Sequence, residues 1–346
     1  VLIDDGVSDP RDLLQIHEAK ANVHGFILEL DSNAAIEPAE VIAHLCDDPE
    51  VGRPRLPEIE IQSVVTVVDA TTLNAQLAAP TLLVDLKMNI DELDDYTDAD
   101  VIVDQVEFAD VIVVTKLKEL ESDARDRVLS TLEWLNTRAV ILESPWPLTP
   151  EFSERLHAVV GQSNFDLEMA TTGAGWMQIL AGTHPKIDRG VGASGFSFRA
   201  RRPFHPARFK SFLEQIANES VLRAKGLIWV ATRHGEAGIW MQAGNGSLIA
   251  STGAWWAATP MREWPDDPIE KEEIMADWIA PHGDRRQEFA IIGFKLREME
   301  LRRELKACLL SDEEFNAGPE AWATYDDPLP DWNLIEDDLD DDSYLN

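Results

Sequence analysis

The chain is 346 residues long, with 30 Lys and Arg against 64 Asp and Glu and a formal net charge of −34. That balance argues against nucleic acid as the main partner, because affinity for a phosphate backbone depends on cationic side chains displacing counterions. No run approaches the roughly 18 uninterrupted apolar residues of a membrane span, and no charged-then-apolar opening marks a secretory leader, so the cytoplasm is the expected compartment. The length suits two domains and a tail. The chain enters at Val1 in mid-pattern, without an initiator Met. Cys46 and Cys308 stand alone in apolar helical contexts, which suits buried thiols in a reducing compartment better than a disulfide framework.

In chain order, "HGFILEL" (24 to 30) reads as a strand and "PAEVIAHLC" (38 to 46) as a helix with Pro in its first turn, where the missing N–H costs nothing. "IQSVVTVVDA" (61 to 70) is apolar on both faces, as expected of a strand covered on either side by helices. "DVIVVT" (110 to 115) and "RAVILES" (138 to 144) repeat the strand signal, with the helix "DARDRVLSTLEWLN" (123 to 136) between them. Strands alternating with helices predict an α/β fold with a doubly wound, mostly parallel sheet over residues 1–160.

Residues 161–194, Gly-rich with Pro185, are expected to form a linker. Over 195–315 the pattern changes. "GFSFRARR" (195 to 202) alternates as a strand, and "HPARFKSFLEQI" (205 to 216) reads as a helix. "GLIWVAT" (226 to 232), "AGIWMQA" (237 to 243) and "SLIAST" (247 to 252) are short strands, the last two joined by a Gly-Asn-Gly turn. "RQEFAIIGF" (286 to 294) and "LREMELRRELKACLL" (296 to 310) close the pattern as strand and helix, the order of a smaller α+β domain. From Ser311 to Asn346 there are thirteen acidic residues and no Lys or Arg. Such a segment, 316–346 above all, is expected to be a solvated tail unless Trp322, Tyr325 and Trp332 dock on the body.

The densest basic stretch is Arg199, Arg201, Arg202, Arg208 and Lys210. On a strand Arg199 and Arg201 oppose Phe196, Phe198 and Ala200. The guanidinium groups either neutralise neighbouring carboxylates, Asp284 or Glu288 for instance, or offer a patch to an anion or an acidic client. The eight histidines show no H-x-H or H-E-x-x-H spacing that would announce a metal site. No Gly-x-Ser-x-Gly elbow points to covalent catalysis.

These segments, in this order, resemble the CobW-like family of P-loop GTPases with a carboxyl-terminal CobW domain, implicated as chaperones or insertases for zinc and other metals. The resemblance rests on "RARRPFHPARF" (199 to 209), "KGLIWVATR" (225 to 233), "GAWWA" (253 to 257), "GDRRQEFAIIG" (283 to 293) and "ACLLSDEEF" (307 to 315), with "LDSNAAIEPAEV" (30 to 41), "VVTVVDA" (64 to 70) and "EFADVIVVTK" (107 to 116) in the first domain. His205, His282, Asp284, Arg285 and Arg286 fall inside or beside the second-domain motifs and join Arg199, Arg201, Arg202 and Arg208 as candidate partner-binding residues.

The resemblance implies a GTP site with Mg²⁺ and a role in zinc traffic, and the sequence departs from each. No G-x-x-x-x-G-K-[ST], whose backbone amides and Lys would hold a triphosphate, occurs in these residues, and the family carries it ahead of the position of Val1. Where the family has G-C-x-C-C thiolates the chain reads "LIDDGVSDPRDLL" (2 to 14), whose Asp4, Asp5 and Asp9 form an acidic turn, so no metal ligand is assigned. Asp31 keeps the switch carboxylate as a candidate catalytic group, while Ala34 replaces a Gly that lets an amide approach a γ-phosphate. The guanine loop Asn-Lys-x-Asp becomes Thr115, Lys116, Leu117 and Lys118, with an ammonium where a carboxylate should accept from the base.

Two functions follow from the resemblance. One is a zinc-homeostasis or metallochaperone-type protein with a degenerate nucleotide site, binding a client metalloprotein or an intact paralogue through its second domain. The other is a GTP-hydrolysing metal chaperone whose P-loop precedes Val1. The acidic residues, spread along the whole chain, suggest a halophilic source where salt screens self-repulsion. Circular dichroism with increasing KCl should show the fold gaining stability, and equal stability in dilute buffer would count against that source.

Overall fold

A strand buried on both faces must be apolar at every position, and the segment preceding Thr115 meets that demand. The computed structural model describes residues 2–3, 27–29, 42, 61–82, 96–163, 165–216 and 221–332. The chain divides after Gly175 into two compact units, each with its own core.

In the first unit β1 (Leu2–Ile3) pairs in parallel with β2 (Leu28–Glu29). A parallel sheet in the order β3-β4-β5 is built from β3 (Val65–Asp69), β4 (Val111–Thr115) and β5 (Val140–Glu143). Its helices are α1 (Leu73–Ala78), α2 (Asp98–Phe108), α3 (Ser122–Leu135), α4 (Pro150–Gln162) and α5 (Leu167–Thr172). β4 is the central strand and is buried from Val111 to Val114. β3 departs from the expectation of cover on both faces: Val65 and Val67 face outward while Thr66 and Val68 are buried. Among the described residues only β4 flanks β3 in the three-stranded sheet.

Helix ends are closed by side chains. Thr97 and Asp100 form a reciprocal capping box at the start of α2, which satisfies two amide donors. At its far end the buried Asn136 amide donates to the carbonyls of Val106, Glu107 and Ala109 at 2.8, 3.1 and 2.8 Å, groups the helix itself leaves unpaired. Asp110 accepts from the Val64 amide at 2.8 Å and pairs with Arg138, so one carboxylate joins β3, β4 and the entry to β5.

The segment 161–194, expected to be a linker, carries two short helices, α5 and α6 (Gly175–Ala181), and the division between units falls inside the second. Periodicity did not announce them because each spans two turns or fewer.

The second unit is a five-stranded antiparallel sheet in the order β6-β10-β7-β8-β9, formed by β6 (Ala193–Ala200), β7 (Val221–Ile228), β8 (Glu236–Ala243), β9 (Gly246–Ala254) and β10 (Gln287–Phe294). β10 enters between β6 and β7 after an excursion through residues 255–286 that contains α8 (Pro268–Ala276). α7 (Pro206–Ile216) and α9 (Glu298–Cys308) supply Phe209, Phe212, Leu301 and Leu305 to a core shared with Phe196, Phe198, Trp240 and Phe289. Gln287, wholly buried, locks β10 in place: its Nε2 donates to the carbonyls of Arg202 and Trp229 at 3.0 and 2.7 Å, and its Oε1 accepts from the Trp229 amide at 3.1 Å.

The segment after Ser311 corrects the expectation of a solvated tail as far as Trp332. α10 (Asp312–Ala317) opens with a capping box between Ser311 and Glu314, and α11 (Pro319–Trp322) follows. Trp322 is 0% exposed and its Nε1 donates to the Glu314 carbonyl at 2.7 Å. Asp327 accepts from Thr232 at 2.6 Å and from Arg233 at 2.9 Å, and Arg233 lies 4.5 Å from the centroid of the Trp332 ring. Aromatic burial therefore outweighs the self-repulsion that composition suggested; residues 333–346 lie outside the described part. Trp322→Ala should cost about 3–5 kcal/mol of the second unit's stability in urea unfolding, the range for deleting a buried Trp. A loss below about 1 kcal/mol would mean that the segment is not held by this side chain.

Candidate functional site

Open parallel sheets bind ligands beyond the carboxyl ends of their strands. In the first unit that edge brings together Asp69 from β3, Thr115 and Lys116 from β4, and Ser144 after β5. The Thr115 hydroxyl donates to the Val68 carbonyl at 3.2 Å, and the Ser144 amide donates to the Val114 carbonyl at 2.8 Å, so the three strand ends are tied. Lys116 adopts a left-handed conformation, φ 55°, which turns the chain sharply into a 3₁₀ turn over Leu117–Glu119.

Lys116 is committed within the edge: its ammonium pairs with the Asp69 carboxylate, which also accepts from the amide and hydroxyl of Thr71. Burial pushes the Asp69 carboxyl up, and the hydrogen bonds from Lys116 and Thr71 more than offset it, leaving it below its ordinary value. The same pair raises the Lys116 ammonium. Leu117 is buried and Lys118 is exposed. The four positions of the base turn thus present a hydroxyl turned inward, a paired cation, a core leucine and an exposed cation. None of them is a carboxylate acceptor. Asp31, the switch candidate, lies outside the described residues.

The candidate arginines of the second unit make contacts within it. Arg199 donates to Glu288 at 2.8 Å and to the Leu180 carbonyl at 2.6 Å. Arg286 bonds Glu288, Asp277 at 2.9 Å and the Asp284 carbonyl at 3.0 Å. Arg201, just past the end of β6, lies 3.8 Å from Asp277. Arg202 meets Asp312 at 2.8 Å and the Leu310 carbonyl at 3.0 Å, with Phe315 under its guanidinium. Arg208 forms a two-pronged pair with Glu314 at 2.9 and 2.7 Å. That pair holds the Glu314 carboxyl down at about 2. Burial raises the Glu288 carboxyl, and Arg199 and Arg286 together bring it below its usual range.

Asp284 serves a different end from the one expected. Its carboxylate accepts from the successive amides of Trp256 and Ala257, at 3.0 and 2.9 Å, and so fixes the start of the excursion that returns the chain to β10.

A cluster of rings around the buried Trp229 adds one residue that the sequence did not single out, the half-buried His234. Trp229 donates through Nε1 to His234 Nδ1 at 3.3 Å, and the rings of His234, His282 and Trp322 gather around it within 6.1 Å centroid to centroid. Arg285 donates to the carbonyls of His234 and His282, at 2.7 and 3.0 Å. Burial, then Arg285 and His282, bring the His234 imidazole down to about 4, and burial with Arg285 lowers His282. His205 stacks on Tyr325 at 5.1 Å and is lowered by burial and by Arg208. The only sequence sign of His234 was its place beside the "KGLIWVATR" motif.

A family model described as the CobW/HypB/UreG nucleotide-binding domain matches residues 11–143, and one described as the cobalamin synthesis protein cobW C-terminal domain matches residues 193–309. This chain belongs to the CobW family. It is 32% identical over 273 residues to the zinc-regulated GTPase metalloprotein activator 1 of Dictyostelium discoideum, covering 78% of this chain and 56% of that one. It is 30% identical over 280 residues to a zinc chaperone of Mycobacterium tuberculosis, covering 80% and 63%. The chain therefore spans less than two thirds of the length of these relatives. The solved structure of the Zn(II)-bound YjiA GTPase from E. coli aligns with 87% of this chain and 76% of its own at 14% identity and a TM-score of 0.32, a likeness that carries no argument.

Among the described residues no group of three or more His, Cys, Asp or Glu is placed to hold a metal ion. Cys308 does not fit the part of a thiolate ligand either, since burial pushes its thiol up to about 12. Nor is any described helix long and apolar enough to cross a membrane.

His234 has a measurable consequence. An imidazole whose folded value lies near 4, below the unfolded value of 6.5, leaves the unfolded state binding more protons between them. Its contribution is complete above the unfolded value and is lost as pH falls through that window. Urea unfolding from about pH 7 to about pH 4 should show the parent losing stability more steeply than His234→Gln; parallel curves would remove His234 as a source of the slope.

Proposed function

We propose that this CobW-family chain is a metallochaperone-type protein of zinc homeostasis whose base turn no longer selects guanine, and whose second unit binds a client metalloprotein. The names carried by its relatives support the metal role. The observation that carries the nucleotide half is the exposed Lys118 at the acceptor position, beside a Lys116 already paired with Asp69.

Guanine presents two N–H donors on the edge that such a turn reads, and an ammonium offers neither of them an acceptor. Leaving those donors unpaired on binding costs about 1–3 kcal/mol each. Adenine presents a different edge there and suffers less from a cation. The turn should therefore be blind to guanine or turned against it. Zinc is cargo on this reading, with no resident site assigned to it, and neither Mg²⁺ nor GTP is assigned to particular side chains. A reducing cytoplasm accords with the free thiol of Cys308.

The rival, a GTP-hydrolysing metal chaperone, draws its support from the nucleotide-binding match over residues 11–143. Competition binding separates the two. The parental protein should show a GTP-to-ATP affinity ratio near or below one, and Lys118→Asp should raise it at least about tenfold, the equivalent of one recovered hydrogen bond pair. A parental preference for GTP above tenfold would overturn the reading of the turn and favour the rival.

A further inference from the structure

The stretch from Ser311 to Trp332 is held to the second unit by side chains. The last amide bonded to the backbone of the body is that of Leu310, which donates to the Pro203 carbonyl at 3.0 Å. Beyond it every backbone-to-backbone hydrogen bond among the described residues closes within the stretch, Phe315 to Ser311, Trp322 to Gly318 and Tyr325 to Trp322 among them. Its first helix is capped from within by Ser311 and Glu314, and Trp322, bonded to the Glu314 carbonyl, stacks on Phe315 at 5.5 Å. The stretch is thus a strap folded on itself. It can leave the body without breaking a backbone bond of the sheet.

The seat beneath the strap matches it in charge and in shape. The strap carries seven Asp and Glu and no Lys or Arg, so every cation it meets belongs to the body. Asp312, Glu314 and Asp327 pair with Arg202, Arg208 and Arg233 at 2.8, 2.7 and 2.9 Å. Phe315, Trp322 and Tyr325 each lie against a histidine, His282, His234 and His205, at 5.1, 5.4 and 5.1 Å between centroids. Gly238 leaves room for the Trp332 ring, since a Cβ at that position would come within 2.5 Å of it. One wholly buried Trp among ion pairs that are partly exposed is the anatomy of a recognition interface, an aromatic anchor inside a polar rim. Arg202, His205, Arg208 and His282, which the sequence offered as candidate partner-binding residues, all belong to this seat.

We propose that the strap is an intramolecular ligand, closing a groove of the second unit that takes an acidic, aromatic segment of a partner protein, and that the strap leaves the groove when the partner binds. This rests on the reading of the second unit as the client-binding part and adds the place, the chemistry and a built-in inhibitor. Rim pairs of this exposure contribute little each, and the covalent tether keeps the strap at a high effective concentration, so the closed state holds and still yields to a competitor.

A fluorescent synthetic peptide with the sequence from Ser311 to Trp332 serves as the probe, and a scrambled peptide of the same composition as its counterpart. Two variants of the full chain open the strap from opposite sides: Asp312→Lys, Glu314→Lys and Asp327→Lys together change the strap, and Arg208→Glu with Arg233→Glu changes the groove. Hydrogen exchange should show the strap amides losing protection in both variants while β7, β8 and β10 keep theirs. Anisotropy at moderate salt should then show the strap variant binding the peptide at least tenfold more tightly than the parental chain, and the groove variant not binding it. A strap variant that binds no more tightly than the parent, a groove variant that binds equally well, or a scrambled peptide that binds like the true one would each overturn the proposal. So would loss of protection in the sheet together with the strap, which would make the stretch an integral layer of the fold. Sedimentation showing a parental dimer that the peptide dissociates would overturn it too, by assigning the groove to the strap of a second copy. The Lys118 competition reads the first unit alone, so its failure is distinguishable from failure here.

Discussion

A cationic side chain donates hydrogen bonds and accepts none, and both units are organised by that constraint. In the first, on the reading proposed above, it disables a turn. Lys118 stands where a base-reading loop needs an acceptor, and Lys116 has turned its ammonium to Asp69 on the neighbouring strand. In the second, it builds structure, because a guanidinium needs several acceptors, and Arg199, Arg202, Arg208 and Arg286 find them in carbonyls as well as in carboxylates. Arg202 and Arg208 take the carbonyls of Leu310 and Leu309 at the close of α9, together with Asp312 and Glu314 beyond it. Those contacts, with the burial of Trp322, draw an acidic segment onto the body of an acidic protein.

Such contacts contribute unequally. Arg199 and Glu288 are partly exposed, and pairs of that kind contribute little each. Arg285 is buried, its own ionisation lowered by that burial, and it hydrogen-bonds two carbonyls beside the lowered imidazoles of His234 and His282. Burial first, and then the Arg285 cation, oppose protonation of His234 and His282, whose rings pack with those of Trp229 and Trp322. The arrangement is one of packing, with the Arg285 guanidinium bonded to the carbonyls of both histidines.

The strands were legible because their apolar runs are long and bounded: "DVIVVT" became β4 and "RQEFAIIGF" became β10, each within a residue or two. Topology was less so, since nothing local in "RQEFAIIGF" says that it inserts between β6 and β7 after an excursion of some thirty residues. The short helices α5 and α6 fell below the length at which a 3.6-residue period can be read. Docking of the acidic segment was hidden for a different reason: three aromatic residues scattered among carboxylates do not form a pattern, although one buried Trp outweighs several exposed charges. At the candidate sites, the substitutions at Thr115 and Lys118 were visible against the family motif. The partners were not. Asp69 lies 47 residues from Lys116, and His234 lies 48 from His282, separations that only the folded sheet closes.

Persistence of the turn after Thr115 is no evidence that it still reads a base. The Thr115 hydroxyl bonds the Val68 carbonyl, the Ala70 amide bonds the Thr115 carbonyl at 3.1 Å, and Leu117 is inserted in the core. These contacts close the carboxyl ends of β3 and β4 whatever the fourth residue is, so folding alone retains the left-handed Lys116 and the 3₁₀ turn that follows. The fourth position, Lys118, is exposed and makes none of these contacts. On the reading proposed above, structure and recognition are thus separable within four residues, with the first three held by the sheet and Lys118 left to face a base.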